Sequence, residues 1–155
     1  ASSRTGRYEI WAVDLASGRE RQITRNGGSL AALAPDPDYL LVSKKDAPGL
    51  WQVALDGSGS ESLFIEETDN ALADGWEVVG DYLYYMTIVE NDRIAIRRRT
   101  LPGTAANMTE ETVLYLSHQT YDGYFDVAGD HSHVLYSKLT RYSGQLYRVD
   151  LAEHR

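Results

Sequence analysis

Two histidines stand two residues apart in "GDHSHVLY", at His131 and His133. Residues i and i+2 of a strand share a face, so both imidazoles can ligate one metal there. A third ligand is then required, and Asp126, Asp130 and His118 are the nearby candidates. The same residues also read as a turn, because "DHSH" stands where related segments carry "DPDY" and "GDY". The turn is the preferred reading, and no metal or other cofactor is expected. A second reactive-looking run is Arg97–Arg99. On a strand Arg97 and Arg99 point one way and Arg98 the other, so only two converge on an anionic ligand. With 23 Asp and Glu against 15 Lys and Arg, pairing to neighbouring carboxylates is expected instead.

The aromatic residues are the other source of chemistry. There are 11 Tyr and 3 Trp but only 2 Phe. "DYLYYM" and "HQTYDGYFDV" supply Tyr82, Tyr84, Tyr85, Tyr121 and Tyr124. Tyrosine buries one end and keeps a polar tip, so Tyr82, Tyr84, Tyr121 and Tyr124 are candidates for stacking on a protein, a peptide or a small ligand. Strand alternation alone buries half of such a set. "DGSGS" lacks the following Lys and helix of a phosphate loop, and no Ser sits in a Gly-x-Ser-x-Gly elbow. The acidic run Glu66–Asp69 lacks the Gly-centred oxygen pattern of a calcium loop. "NMT" at Asn107 fits a glycosylation acceptor, a three-residue pattern that also arises by chance. No catalytic residue emerges, and the chain is expected not to be an enzyme.

Bulk properties narrow the partners. At 155 residues the chain is long enough to bury one core, and 43% hydrophobic with 25% charged residues suits a globular protein. A formal net charge of −8 argues against direct nucleic-acid binding and against a membrane-surface role. No apolar run approaches the roughly 20 residues of a membrane span. The opening "ASSRTGRYEI" has no initiator Met and no apolar signal-peptide region, so a piece of a longer chain is expected. With no Cys there are no disulfides or thiolate metal sites.

What must position these residues is a repeat. "IWAVDLASGRERQIT" from Ile10 recurs as "LWQVALDGSGSESLF" from Leu50, "IRRRTLPG" from Ile96 and "LYRVDLAEH" from Leu146. The Leu closing each strand falls at Leu15, Leu55, Leu101 and Leu151, with separations of 40, 46 and 50 residues. An aromatic stands four positions earlier at Trp11, Trp51 and Tyr147, whereas the third copy has Arg97. A second unit precedes three of the copies: "APDPDYLLVSKK", "VVGDYLYYMT" and "VAGDHSHVLYSKL". Its Asp-rich turn fits a tight hairpin in which carboxylates cap backbone N–H groups.

Each repeat therefore reads as a four-stranded meander. In the second copy the strands are Leu30–Leu33, Tyr39–Lys44, Leu50–Leu55 and Glu61–Ile65. "TAANMTEETV" from Thr104 is the only helical hint, and an extended loop is preferred there. Four-stranded units at this period predict an all-β chain, a partial β-propeller of about three to four blades over 1–155. The blades run approximately over 7–26, 29–66, 71–117 and 121–153, with two, four, four and three strands.

The repeats resemble TolB-like propellers, also called PD40 or WD40-like repeats. "APDPDYLLVS" is similar to that family's Ser-Pro-Asp-Gly turn and following strand, with Asp38 where Gly is common; "VVGD" and "VAGD" lack the Pro. "GLWQVALDG", "DYLYY" and "FDVAGDHSHVLYSKLTRYSGQLYRVDL" further resemble the C-terminal propeller of bacterial CadC-like winged-helix transcriptional regulators. That resemblance implies a non-enzymatic sensory or protein-interaction module whose DNA-binding domain lies outside this chain. It also implies the periplasmic side of an inner-membrane regulator rather than the cytoplasm, with no membrane insertion by this chain. Two alternatives stay open: an accessory propeller of a prolyl-oligopeptidase-type hydrolase, and a TolB-type periplasmic scaffold.

An incomplete set of blades leaves apolar faces at both ends. The open faces are expected to self-associate. Size-exclusion chromatography with light scattering should show a mass above the monomer at high concentration, and a clean monomer there would contradict self-association.

Overall fold

A computed structural model describes residues 1–66, 75–89, 93–102, 109–116, 121–139 and 144–151, with 121–123 and 138–139 described as backbone. The acidic run beyond Glu66, Thr104 through Asn107, and His118 lie outside the described residues. Thirteen strands form four antiparallel sheets, and no α-helix occurs among the described residues. The chain divides into two compact units, Ala1–Asp74 and Gly75–Arg155.

The first unit holds a two-stranded and a four-stranded sheet. β1 (Trp11–Val13) pairs with β2 (Glu20–Gln22), and β3 (Leu30–Leu33), β4 (Tyr39–Ser43), β5 (Leu50–Ala54) and β6 (Glu61–Ile65) follow as a meander in chain order. The strands expected in this repeat are thus present, the second and third each ending one residue earlier than expected. Ile10, Ile23, Val42 and Val53 form the core shared by the two sheets, with Leu40 and Leu55 against it.

The second unit repeats the plan. β7 (Trp76–Val79), β8 (Tyr82–Val89), β9 (Arg93–Thr100) and β10 (Glu110–Leu116) form a four-stranded meander. β11 (Tyr121–Val127), β12 (His133–Leu139) and β13 (Gly144–Asp150) form a three-stranded one. Tyr84, Met86, Ile96 and Leu116 of the first sheet pack with Val127, Val134 and Leu151 at the second.

Local chemistry sets the turns. Asp36, Asp56 and Asp130 each accept from the backbone N–H two residues on, at 3.1, 2.8 and 3.0 Å. Asp14 takes both the N–H and the hydroxyl of Ser17, each at 2.7 Å. Such carboxylate caps replace backbone bonds that a reversing chain leaves unmade. Hydrogen bonds from Ser17, Ser58 and Ser132 hold the carboxyls of Asp14, Asp56 and Asp130 below the ordinary value. The Ser58 hydroxyl is spent in the same way, since it accepts from the Ser60 N–H at 3.0 Å.

In each of the last three sheets the ladder between the second and third strands runs one rung past the strand ends. Leu55, Leu101 and Leu151 donate their N–H to the carbonyls of Asp38, Asp81 and Ser132, at 2.8, 2.9 and 2.8 Å. The three acceptors occupy one position of the repeated turn. Beside Leu15 no such turn stands among the described residues, and its side chain is 97% exposed, against 1% for Leu101.

Strict alternation fails in the second strands. Leu83, Tyr84, Tyr85 and Met86 are consecutive and all buried, as are Leu41, Val42 and Ser43. A strand flanked on both edges and covered on both faces has no solvent side to keep polar.

Equivalent leucines should therefore respond differently. Leu101→Ala is expected to cost about 2–5 kcal/mol, and Leu15→Ala within about 0.5 kcal/mol of zero. Urea denaturation of the two variants measures the difference.

Candidate functional site

The tyrosines nominated by the sequence do not gather in one place. Tyr82 and Tyr84 share a face of β8 beside the hairpin turn at Gly80–Asp81. Tyr124 is 75% exposed on β11. Tyr121 opens that strand, at the end away from the His131 turn, and is described as backbone only. Among the candidates whose side chains are described, Tyr82 and Tyr84 contribute to a common cluster, and Tyr84 is fully buried in the core of its unit.

His131 joins them. Its φ of 59° is the only positive value at a non-glycine residue among those described. That conformation costs an L-residue roughly 1–2 kcal/mol and persists where the surroundings hold it. Here the His131 N–H donates to Ala128 O at 2.8 Å, and Asp130 caps Ser132. The imidazole stacks on Tyr84 with centroids 5.9 Å apart and meets Tyr82 edge-on at 5.4 Å. Tyr84 Oη lies 2.9 Å from His131 Nδ1.

Arg98 completes the cluster from β9. Its guanidinium lies 4.7 Å from the centre of the Tyr82 ring, donates to Tyr84 Oη at 3.4 Å and salt-bridges Glu111. A guanidinium only donates, so the Tyr84 oxygen accepts from Arg98 and also shares a hydrogen bond with His131 Nδ1. The arrangement is a cation and an imidazole held against two tyrosine rings, suited to stacking and hydrogen bonding.

The shared-face arrangement of His131 and His133 is not present. His131 lies in the turn, not on the strand, so the shared-face condition does not apply. His133 opens β12, and its Nδ1 lies 2.7 Å from Ser132 Oγ. Among the described residues no three His, Asp or Glu side chains gather as a metal requires. The arginine run behaves as expected: Arg97 pairs with Glu110 at 2.7 Å, and Arg98 with Glu111. Tyr85 donates to the same Glu110 at 2.8 Å, and burial followed by that carboxylate pushes its pKa to about 12.

One feature of this region left no mark in the sequence. Glu77 of β7 accepts the Val127 N–H of β11 at 2.9 Å, bridging the two sheets of the unit. Burial pushes its pKa up to about 7; the Val127 bond opposes this, and neighbouring Asp126 reinforces it. The residues are about fifty positions apart, and only packing of one sheet on the other brings them together.

No protein-family model matches the chain, and no curated protein does.

The Glu77 shift has a definite sign. Its ordinary value is 4.5 and its folded value is about 7. Between these the folded chain holds more protons than the unfolded one, so stability falls as pH rises through the window. Glu77→Gln is expected to flatten that fall. Urea unfolding at about pH 5 and about pH 8 measures it, and parallel profiles for variant and wild type would contradict the assignment.

Proposed function

We propose that this chain is part of a β-propeller of the TolB-like kind and serves as a non-catalytic binding module. The observation that supports this best is the succession of two-, four-, four- and three-stranded meanders, three of which close the same rung at Leu55, Leu101 and Leu151. Repetition of one unit is how such modules present loops of varied sequence from an invariant framework.

The fate of the reactive-looking residues supports the same reading. Ser58 caps a turn, His131 holds another, and Arg97 and Arg98 neutralise strand carboxylates. What remains for recognition is surface: the half-buried Tyr82 beside Arg98, and Tyr124 at 75% exposure. Aromatic faces with adjacent cations suit a peptide or a small ligand. On the motif resemblance, the module serves a bacterial winged-helix regulator of the CadC-like type, on the periplasmic side of the inner membrane.

The parent open reading frame tests this directly. A winged-helix domain upstream is expected, and an α/β-hydrolase domain downstream would overturn the proposal. The purified chain should also turn over no ester, amide or peptide substrate. Reproducible hydrolysis that co-purifies with the chain would overturn the non-catalytic part.

A further inference from the structure

The first unit carries a second concentration of charged side chains that the reading above does not use. Leu30 pairs with Ser43 and Ser43 with Leu50, so the loops before β3 and after β4 meet at one end of that sheet. Gly28 N–H donates to Tyr8 O at 2.8 Å, which ties the segment before β1 to the same end. These three segments enclose a cleft of about 250 Å³ whose lining includes Arg7, Tyr8, Asn26, Lys44 and Lys45. The lining carries three cations and one carboxylate, Asp46, with the Glu61 and Glu9 carboxylates bonded to Lys44 and Gly27 of that lining.

Its parts have distinct roles. Lys44 is 4% exposed, its ammonium 2.7 Å from Glu61 and 4.2 Å from the centre of the Trp51 ring. Asn26 donates to the same Glu61 oxygen at 3.2 Å. Glu61 cancels the Lys44 charge and fixes the ammonium in the wall, while only one of its three N–H donors is needed for that bond. Attraction for an anion then falls to Arg7 and Lys45, both exposed and without a carboxylate partner among the described residues.

The floor is glycine. Gly28 has no room for a side chain, since a Cβ there would stand 2.8 Å from Ile10 Cγ1. Gly27 has φ of 94°, and nothing lies within 4 Å of the place its Cβ would take. Its N–H is already directed at the buried Glu9 carboxylate, 3.2 Å away. A ligand therefore meets side chains here and not a backbone anion nest. Lys45 lies 5.1 Å from the centre of the Tyr8 ring, which keeps the cation beside a flat apolar wall.

We propose that this cleft binds a small oxyanion, a carboxylate or phosphate group, gripped by Arg7 and Lys45 against the Tyr8 ring. Guanidinium forks match the two oxygens of either group. The volume is below the roughly 300–1,000 Å³ of pockets for drug-sized ligands, so the group belongs to a compact molecule. The site lies wholly within the first unit and stands or falls separately from the proposed function.

The test is a titration of isotopically labelled chain with inorganic phosphate and, separately, with succinate, followed by amide shifts in NMR. Saturable one-site shifts at Gly27, Gly28 and Lys45 are expected. Affinity should fall at least about tenfold in Arg7→Ala/Lys45→Ala and rise about threefold in Asp46→Asn, where an opposing charge is removed. Arg19→Ala, an exposed cation outside the cleft, should bind like wild type. Tighter binding of phosphate identifies a phosphoryl ligand and tighter binding of succinate a carboxylate; equal binding supports the shared chemistry. Absence of saturation with both probes overturns the proposal, and so does equal weakening by Arg19→Ala. Should the double variant unfold, Asp46→Asn and Lys45→Gln decide by their opposite shifts in affinity.

Discussion

The arrangement rests on the closing rung of the ladder between the second and third strands of each of the last three meanders. The residue after the third strand gives its N–H to a carbonyl in the first hairpin turn, at Leu55, Leu101 and Leu151. That rung fixes the residue after the third strand beside the turn that leads into the second. Side chains at the closing position then enter the core where a turn stands beside them, as Leu101 and Leu151 do. The carboxylate caps at Asp36 and Asp130 act on the same turns, so a few polar groups hold several strands in register.

Much of this was legible because its causes are local. A repeated Leu, an aromatic four residues before it and an acidic turn were enough to place the strands and their grouping into two, four, four and three. Asp followed by Gly or Ser announces a turn whatever lies around it. The run of buried residues in β8 was not legible as such, because "YLYYM" looks half-exposed until both faces of the strand are covered. Nor does the repeat distinguish Leu15 from Leu101, since their difference lies in what stands beside them.

The site was harder to read for the same reason. Residue type drew attention to His131, Tyr82 and Tyr84, yet their contacts came from packing between sheets. Spacing suggested that His131 and His133 share a face; the turn instead sends one imidazole onto Tyr84 and leaves the other beside Ser132. Glu77 meets Asp126 and Val127 across two sheets, and Lys44 meets Glu61 across one. A single sequence marks neither meeting, because each depends on an alignment of strands that no short motif specifies.

The last strand carries a consequence of its own. β13 pairs with β12 alone among the described residues, whereas β5 and β9 each have neighbours on both sides. Its amides consequently fall into two classes. Those directed at β12 are locked in the ladder, and those directed outward face water. In deuterated solvent the outward set should exchange at close to open-chain rates while the inward set is held back, giving a two-residue rhythm of protection along one strand.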